Sequence, residues 1–377
     1  MTEAVAKKEL PKNLTALTSL RYFAAIWVVA FHYLEYMPTQ HWIKSTFAAD
    51  GLLAVDFFFI LSGFILAHTY AKSVVSGVFR YYPFLVKRLA RIYPAHIVML
   101  VAFIALSSLL VFVGIGVESP ERYRLSAILP NILLVHAWGF APAFSFNYPS
   151  WSISAEWMAY LLFPVIMAAA LALGRLKILG RPRNWLPVGV ALVILLAVWA
   201  GAQVFLGKPV TAFTTTFVYL RILPEFFLGV CLYFFALTRG AAPKWMVAVL
   251  GLGMLALAQF SAPHVVLVMV GAALVLVAAL AAWQPKAGVL DHPFLVYLGE
   301  ISYGLYMIHI FVGPLMFHAL KAAHLKVDPA LTFFGAMVAV TLLAAVMHRL
   351  IEIPGRALIL RLLIREPAQQ LAPKPLV

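Results

Sequence analysis

The sequence predicts an all-α fold: a polytopic integral membrane helix bundle with about ten transmembrane helices. Three observations predict it. Of the 377 residues, 64% are hydrophobic and only 11% are charged; soluble domains are about half apolar and about a quarter charged. Apolar runs close to the ~20 residues that cross a bilayer recur along the chain. The basic residues gather between those runs. A net charge of +14 would otherwise invite a nucleic-acid reading, but this distribution is that of cytoplasmic loops in a membrane protein. No nucleic-acid partner is expected; the partner common to every span is the lipid bilayer.

The apolar runs place spans at about 17–36, 51–70, 92–115, 152–173, 187–206, 214–237, 245–262, 264–283, 294–319 and 330–352. One further piece, 127–141 (AILPNILLVHAWGFA), is short and holds Pro130, Asn131 and His136. Charge decides its role. Lys7, Lys8 and Lys12 put the N-terminus in the cytoplasm, and Lys72, Arg80, Lys87, Arg88 and Arg91 return there two spans later. Arg175, Lys177, Arg181 and Arg183 return again only if an even number of spans intervenes, so 127–141 is expected to be re-entrant or interfacial. Lys244, Lys286, Arg356, Arg361, Arg365 and Lys374 then also fall inside. The expected organisation is a cytoplasmic segment 1–16, a membrane-embedded domain 17–356 and a cytoplasmic, partly disordered tail 357–377. The expected location is the plasma (inner) membrane, with both termini cytoplasmic.

Several chemistries lack their signatures. The N-terminus has no signal-peptide cleavage pattern. A single cysteine, Cys231, excludes an internal disulfide and a Cys-based metal site. There is no G-x-S-x-G, H-E-x-x-H, Walker A or G-x-G-x-x-G motif. The eleven histidines are scattered, so no metal site is expected. No convincing internal repeat points to an inverted-repeat transporter.

What remains is the set of polar residues inside apolar runs, where ionisable groups cost several kcal/mol and mark function by default. Arg21 and His32 are eleven residues apart, about three helical turns, so they share a face about 16 Å apart along the axis. Glu35 and Tyr36 follow His32 at i+3 and i+4 and can join that face. Asp56 sits near the depth of His32, where pairing with His32 or a neighbour would relieve its burial. Arg88 and Arg91, at i and i+3 with Lys87 beside them, suit an anionic ligand, since arginine meets phosphate with a fork of donors. Glu156, flanked by Trp151 and Trp157 and four residues after Ser152, could orient a histidine or bind a sugar hydroxyl. Arg221 and Glu225 read as an i,i+4 pair of mainly structural value.

Taken in order, these residues resemble acyltransferase family 3 of the membrane-bound acyltransferases. The resemblance rests on Arg-x10-His (Arg21, His32), VDFFFILSGF (Asp56, Ser62, Gly63) and R-x-x-R-I-Y-P (Arg88, Arg91, Tyr93, Pro94). It continues through W-S-I-S-x-E (Trp151, Ser152, Ser154, Glu156), I-S-Y-x-L-Y-x-x-H (Ser302, Tyr303, Tyr306, His309) and I-E-x-P (Glu352, Pro354), over about residues 17–356. Each block alone is weak; six in register are strong. Some relatives append an esterase-like domain, for which this chain has no room.

The resemblance implies transfer of an acyl group, often acetyl, from cytoplasmic acyl-CoA to a hydroxyl of a polysaccharide, lipid-linked sugar or other glycosylated compound. Acetyl-CoA or another acyl-CoA would then be a donor substrate, with no permanently bound cofactor. On this reading Arg21, Arg88 and Arg91 hold the donor. His32 acts as general base or transient acyl carrier, with Glu35, Asp56 or Glu156 orienting it. Trp151, Ser152, Tyr303 and His309 contact substrate. The rival reading of the same polar residues is a proton-coupled transporter or flippase.

Overall fold

A computed structural model describes residues 10–11, 13–38, 46–116, 119–141, 144–178, 181–182, 185–238, 245–260, 263–282, 288–325 and 327–364. Lys7, Lys8, Lys12, Arg183, Lys244, Lys286, Arg365 and Lys374 lie outside them, as do most of the N-terminal segment and the end of the tail.

The described chain is helical apart from a short antiparallel pairing of Lys177–Ile178 with Arg181–Pro182. Its long helices are α1 (Thr15–Tyr33), α2 (Ala54–Val75), α3 (Tyr81–Phe112), α4 (Trp151–Arg175), α5 (Leu186–Leu206) and α6 (Val218–Leu237). They continue with α7 (Trp245–Gln259), α8 (His264–Ala281), α9 (Pro293–Ala322), α10 (Pro329–Met347) and α11 (Ile353–Leu363). α10 runs through a π-helical turn, His348–Glu352, into α11. Among the described residues nine helical stretches are long and apolar enough to cross a membrane. At the remaining expected span, 245–262, the described residues form a shorter apolar helix, α7, of 15 residues. This is a multi-pass membrane protein.

The segment 127–141 does not span. A helix of five residues, Ile128–Ile132, gives way to a π-helical turn at His136–Phe140. Leu134 and Gly139 take positive φ angles of 58° and 91° and break the run. Backbone groups freed at membrane depth must find protein partners, and here Ser154 supplies them. Its Oγ donates to the Leu134 carbonyl and accepts from the Ala137 amide, at 2.8 and 3.1 Å. Asn131 Nδ2 ties the segment to Ala127 O and Ser145 Oγ, both at 2.8 Å. His96 on α3 reaches the Asn131 carbonyl at 2.9 Å.

α2 and α6 are the most buried spans, and α5 is the least buried. α2 and α6 lie against each other because glycine lets their backbones touch, a common device where lipid offers no hydrophobic drive between helices. A Cβ on Gly63 would run into the Phe226 carbonyl, and one on Gly229 into that of Ile60. Gly299 on α9 meets α1 at Thr18 in the same way. This packing brings the polar faces of α1, α2, α6 and α9 together at the centre of the bundle. The last helix runs on past the expected boundary at 356. Tyr82 donates to the Leu363 carbonyl at 3.2 Å and Gly355 abuts Pro94, so α11 is held against α3.

Candidate active site

Two chambers open within this core. The first, the arginine chamber, has a volume of about 170 Å3; Arg21, Ser62, Arg88, Arg91, Glu156 and Tyr160 are among its lining. The second, the histidine chamber, is larger, about 630 Å3, and takes in His32, Glu35, Arg122, Tyr148, Trp151 and Arg221. Val55 and Tyr306 line both. The Arg21-to-His32 stripe of α1 therefore runs from one chamber to the other.

His32 is oriented by a histidine, not by a carboxylate. Its Nδ1 lies 3.0 Å from the Val28 carbonyl and 3.0 Å from His309 Nε2. His309 Nδ1 in turn lies 2.6 Å from the Tyr306 carbonyl. A carbonyl only accepts, so His309 Nδ1 carries the proton. The Nε2 of neutral His309 is then bare, and His32 Nδ1 must be the donor to it. By this assignment His32 Nε2 keeps its lone pair, which is what a general base needs. His309, expected to contact substrate, lies against His32 and with the Val28 carbonyl holds this tautomer.

Of the three carboxylates offered as alternatives to orient His32, none makes a described hydrogen bond to it. Asp56 accepts both prongs of the Arg221 guanidinium, from Nε at 2.7 Å and Nη2 at 2.8 Å. Both side chains are fully buried, so the pair answers the cost of two charges at this depth and leaves Asp56 no role toward His32. Arg221 also donates to the Thr211 carbonyl at 2.8 Å and lies over the Trp151 ring at 5.0 Å. It does not pair with Glu225, whose two buried carboxyl oxygens accept no hydrogen bond among the described residues. Glu156 faces the arginine chamber, where it accepts from Ser62 and interacts with Tyr160. Glu35 sits in the 3-10 turn Leu34–Tyr36 that ends α1. It is exposed, lines the histidine chamber and makes no described hydrogen bond to His32.

The arginines divide their work. Arg91 donates to Glu352 at 2.9 Å and stacks on Tyr303 at 5.3 Å. Glu352 also takes His348 Nδ1 at 3.0 Å. Arg91 is thus partly neutralised. Arg88 packs over Tyr70 at 5.9 Å, and its buried Nε has no hydrogen-bond partner. Neither Arg88 nor Arg21 makes an ion pair among the described residues, so both remain available to an anion entering the chamber. Tyr303 contributes its ring to this chamber while its hydroxyl donates to the Ile92 carbonyl at 2.5 Å. Ser152 lines the same chamber and bonds Tyr306 Oη at 2.8 Å. Trp151 lines the histidine chamber. Sequence reasoning missed Arg221 as the partner of Asp56, Tyr306 as the wall between chambers, and Arg122, which packs over Tyr148 at 4.8 Å. Among the described residues no group of three or more His, Cys, Asp or Glu side chains is placed to hold a metal.

Comparison with known proteins now decides the class. The profile of acyltransferase family 3, described as an acyltransferase domain, matches residues 14–349. The chain belongs to this family. It is similar to the acyltransferase MdmB of Streptomyces mycarofaciens, at 30% identity over 80% of this chain and 79% of the relative. It is also similar to the peptidoglycan O-acetyltransferase OatA of Listeria monocytogenes, at 27% identity over 50% of this chain and 29% of that protein. A putative O-acetyltransferase of Staphylococcus aureus matches at 26% identity, over 45% of this chain and 27% of its own length. No solved structure matches significantly. The protein is therefore a membrane-embedded acyltransferase, and the two chambers lie within the matched region.

Proposed function

We propose that this protein is an O-acyltransferase of the plasma membrane. It moves an acyl group, acetyl in the first instance, from cytoplasmic acyl-CoA to a hydroxyl of a carbohydrate, glycolipid or polysaccharide precursor. One observation carries the reading: a chamber with unpaired arginines and a chamber with a base-competent histidine share the wall made by Val55 and Tyr306. An anionic donor is attracted to the first. A chamber of about 630 Å3 with aromatic walls suits a sugar in the second.

Arg88 and Arg21 attract the phosphates and guide the pantetheine arm, with Arg91 held in place by Glu352. His32 Nε2 takes the proton of the acceptor hydroxyl as its oxygen bonds to the thioester carbonyl carbon. The C–S bond then breaks, and the departing thiolate takes up the proton from His32. The imidazolium formed in between is held by the Val28 carbonyl and the His309 lone pair. His309 thereby does the orienting work that an aspartate does in a hydrolase triad. With the basic loops in the cytoplasm, the arginine chamber faces the CoA pool and the histidine chamber the opposite side of the membrane. The transporter reading accounts for the buried charges but not for the family match.

The test is to incubate purified protein in liposomes with radiolabelled acetyl-CoA and a mixed glycan extract, following label into an alkali-labile ester. Ester label dependent on the protein supports the reading. Well-folded protein that neither transfers label nor binds any acyl-CoA would overturn it.

A further inference from the structure

The wall between the chambers is narrow and stiff. Tyr306 is buried, and its hydroxyl donates to the Pro149 carbonyl at 2.7 Å while taking a hydrogen bond from Ser152 Oγ at 2.8 Å. Pro149 belongs to the turn Tyr148–Ser150 that leads into α4. The tyrosine on α9 is thus pinned to α4 at both its acceptor and its donor, and the ring cannot swing aside without breaking two bonds. Val55, equally buried, stands in the first turn of α2. Its neighbour Asp56 is clamped by Arg221, so the backbone that carries Val55 is fixed as well.

The wall also stands beside the base. Tyr306 is one helical turn before His309, and its carbonyl accepts from His309 Nδ1. A thioester carbonyl within reach of an oxygen activated by His32 must therefore come up to Tyr306 and Val55. The sulfur points back into the arginine chamber. Whatever follows the carbonyl carbon must fit against the wall, in the remainder of a chamber of about 170 Å3. One methyl group needs little room. Each further methylene presses on a side chain that cannot move.

We propose that Tyr306 and Val55 set the length of acyl group this enzyme transfers, holding it to the shortest donors. The inference rests on the acyl-CoA reading above and adds to it a specificity-determining pair. A hydrophobic stop of this kind discriminates by roughly 10-fold or more per methylene.

The experiment measures thiol release from acetyl-CoA, propionyl-CoA and butyryl-CoA by the purified full chain, with the mixed glycan extract as acceptor. It compares wild type, Val55→Ala and Tyr306→Phe, each checked for a monodisperse profile and a thermal transition in detergent. In Tyr306→Phe the Ser152 hydroxyl is freed to donate to the Pro149 carbonyl, 3.2 Å away in the structure, so the start of α4 retains a tie. Wild type should favour acetyl-CoA. Val55→Ala should raise the ratio of butyryl to acetyl kcat/KM about 10-fold or more, and Tyr306→Phe should shift it in the same direction. Folded variants that transfer acetyl with the wild-type ratio would overturn the inference while leaving the acyl-CoA reading intact. A folded Val55→Ala that is inactive with every donor would also overturn it, since the wall would then serve transfer itself. Wild type that releases thiol from no donor would overturn both.

Discussion

His309 Nε2 lies 3.0 Å from His32 Nδ1, across the contact between α9 and α1. Together with the Val28 carbonyl, this bond holds the proton on His32 Nδ1 and leaves Nε2 to act. Replacing His309 by Ala leaves the Nδ1 proton with only the Val28 carbonyl, so the tautomer persists but the ring loses one of its two anchors. We expect kcat to fall about 10²- to 10⁴-fold, the usual worth of a positioned general base, with KM for acetyl-CoA nearly unchanged. Steady-state kinetics with varied donor checks this; an equal rise in KM would place His309 in donor binding instead.

Arg88 carries a buried Nε with no partner. On the proposed reading Arg88→Ala raises KM for acyl-CoA about 10-fold, equivalent to about 1.4 kcal/mol, and lowers kcat less. Raised salt should weaken donor use by wild type more than by the variant, because a charge contact has been removed.

The Asp56–Arg221 pair predicts a stability effect. Removing one member of a buried ion pair leaves a charge uncompensated and costs about 3–5 kcal/mol. Asp56→Ala should lower the thermal transition in detergent sharply. Adding Arg221→Met should recover much of the loss. A double variant no more stable than the single one would contradict the assignment of this pair as a structural clamp.

Glycine substitutions separate packing from chemistry. Gly229→Ala forces a Cβ into the Ile60 carbonyl, so the α2–α6 contact must open. Folded protein recovered from membranes should drop severely. Gly253→Ala on α7 meets nothing within 4 Å and should be tolerated. Equal yields from the two would mean that α2 and α6 do not pack as described.

The fold was largely legible because span length and apolarity are local properties of a chain. The charge count also excluded a span at 127–141, which the positive φ angles of Leu134 and Gly139 explain. Within the site, His32 and the arginines stood out because polar groups in an apolar run are conspicuous. Their partners did not. His309 is 277 residues from His32, and Arg221 is 165 from Asp56. Helical spacing relates residues on one helix and carries no information on which helices meet. Hence depth and chemistry offer Glu35, Asp56 and Glu156 as alternatives for orienting His32, while packing takes Asp56 to Arg221 and Glu156 to Ser62.

The central claim is that His32 moves the proton in acyl transfer. The most direct measurement compares wild type and His32→Ala, matched for folded protein by size-exclusion profile and thermal transition, in ester labelling from radiolabelled acetyl-CoA. The account predicts that His32→Ala still binds acetyl-CoA but loses label by about 10³-fold or more, within the range for removing a general base. His32→Ala labelling its acceptor at the wild-type rate would contradict it.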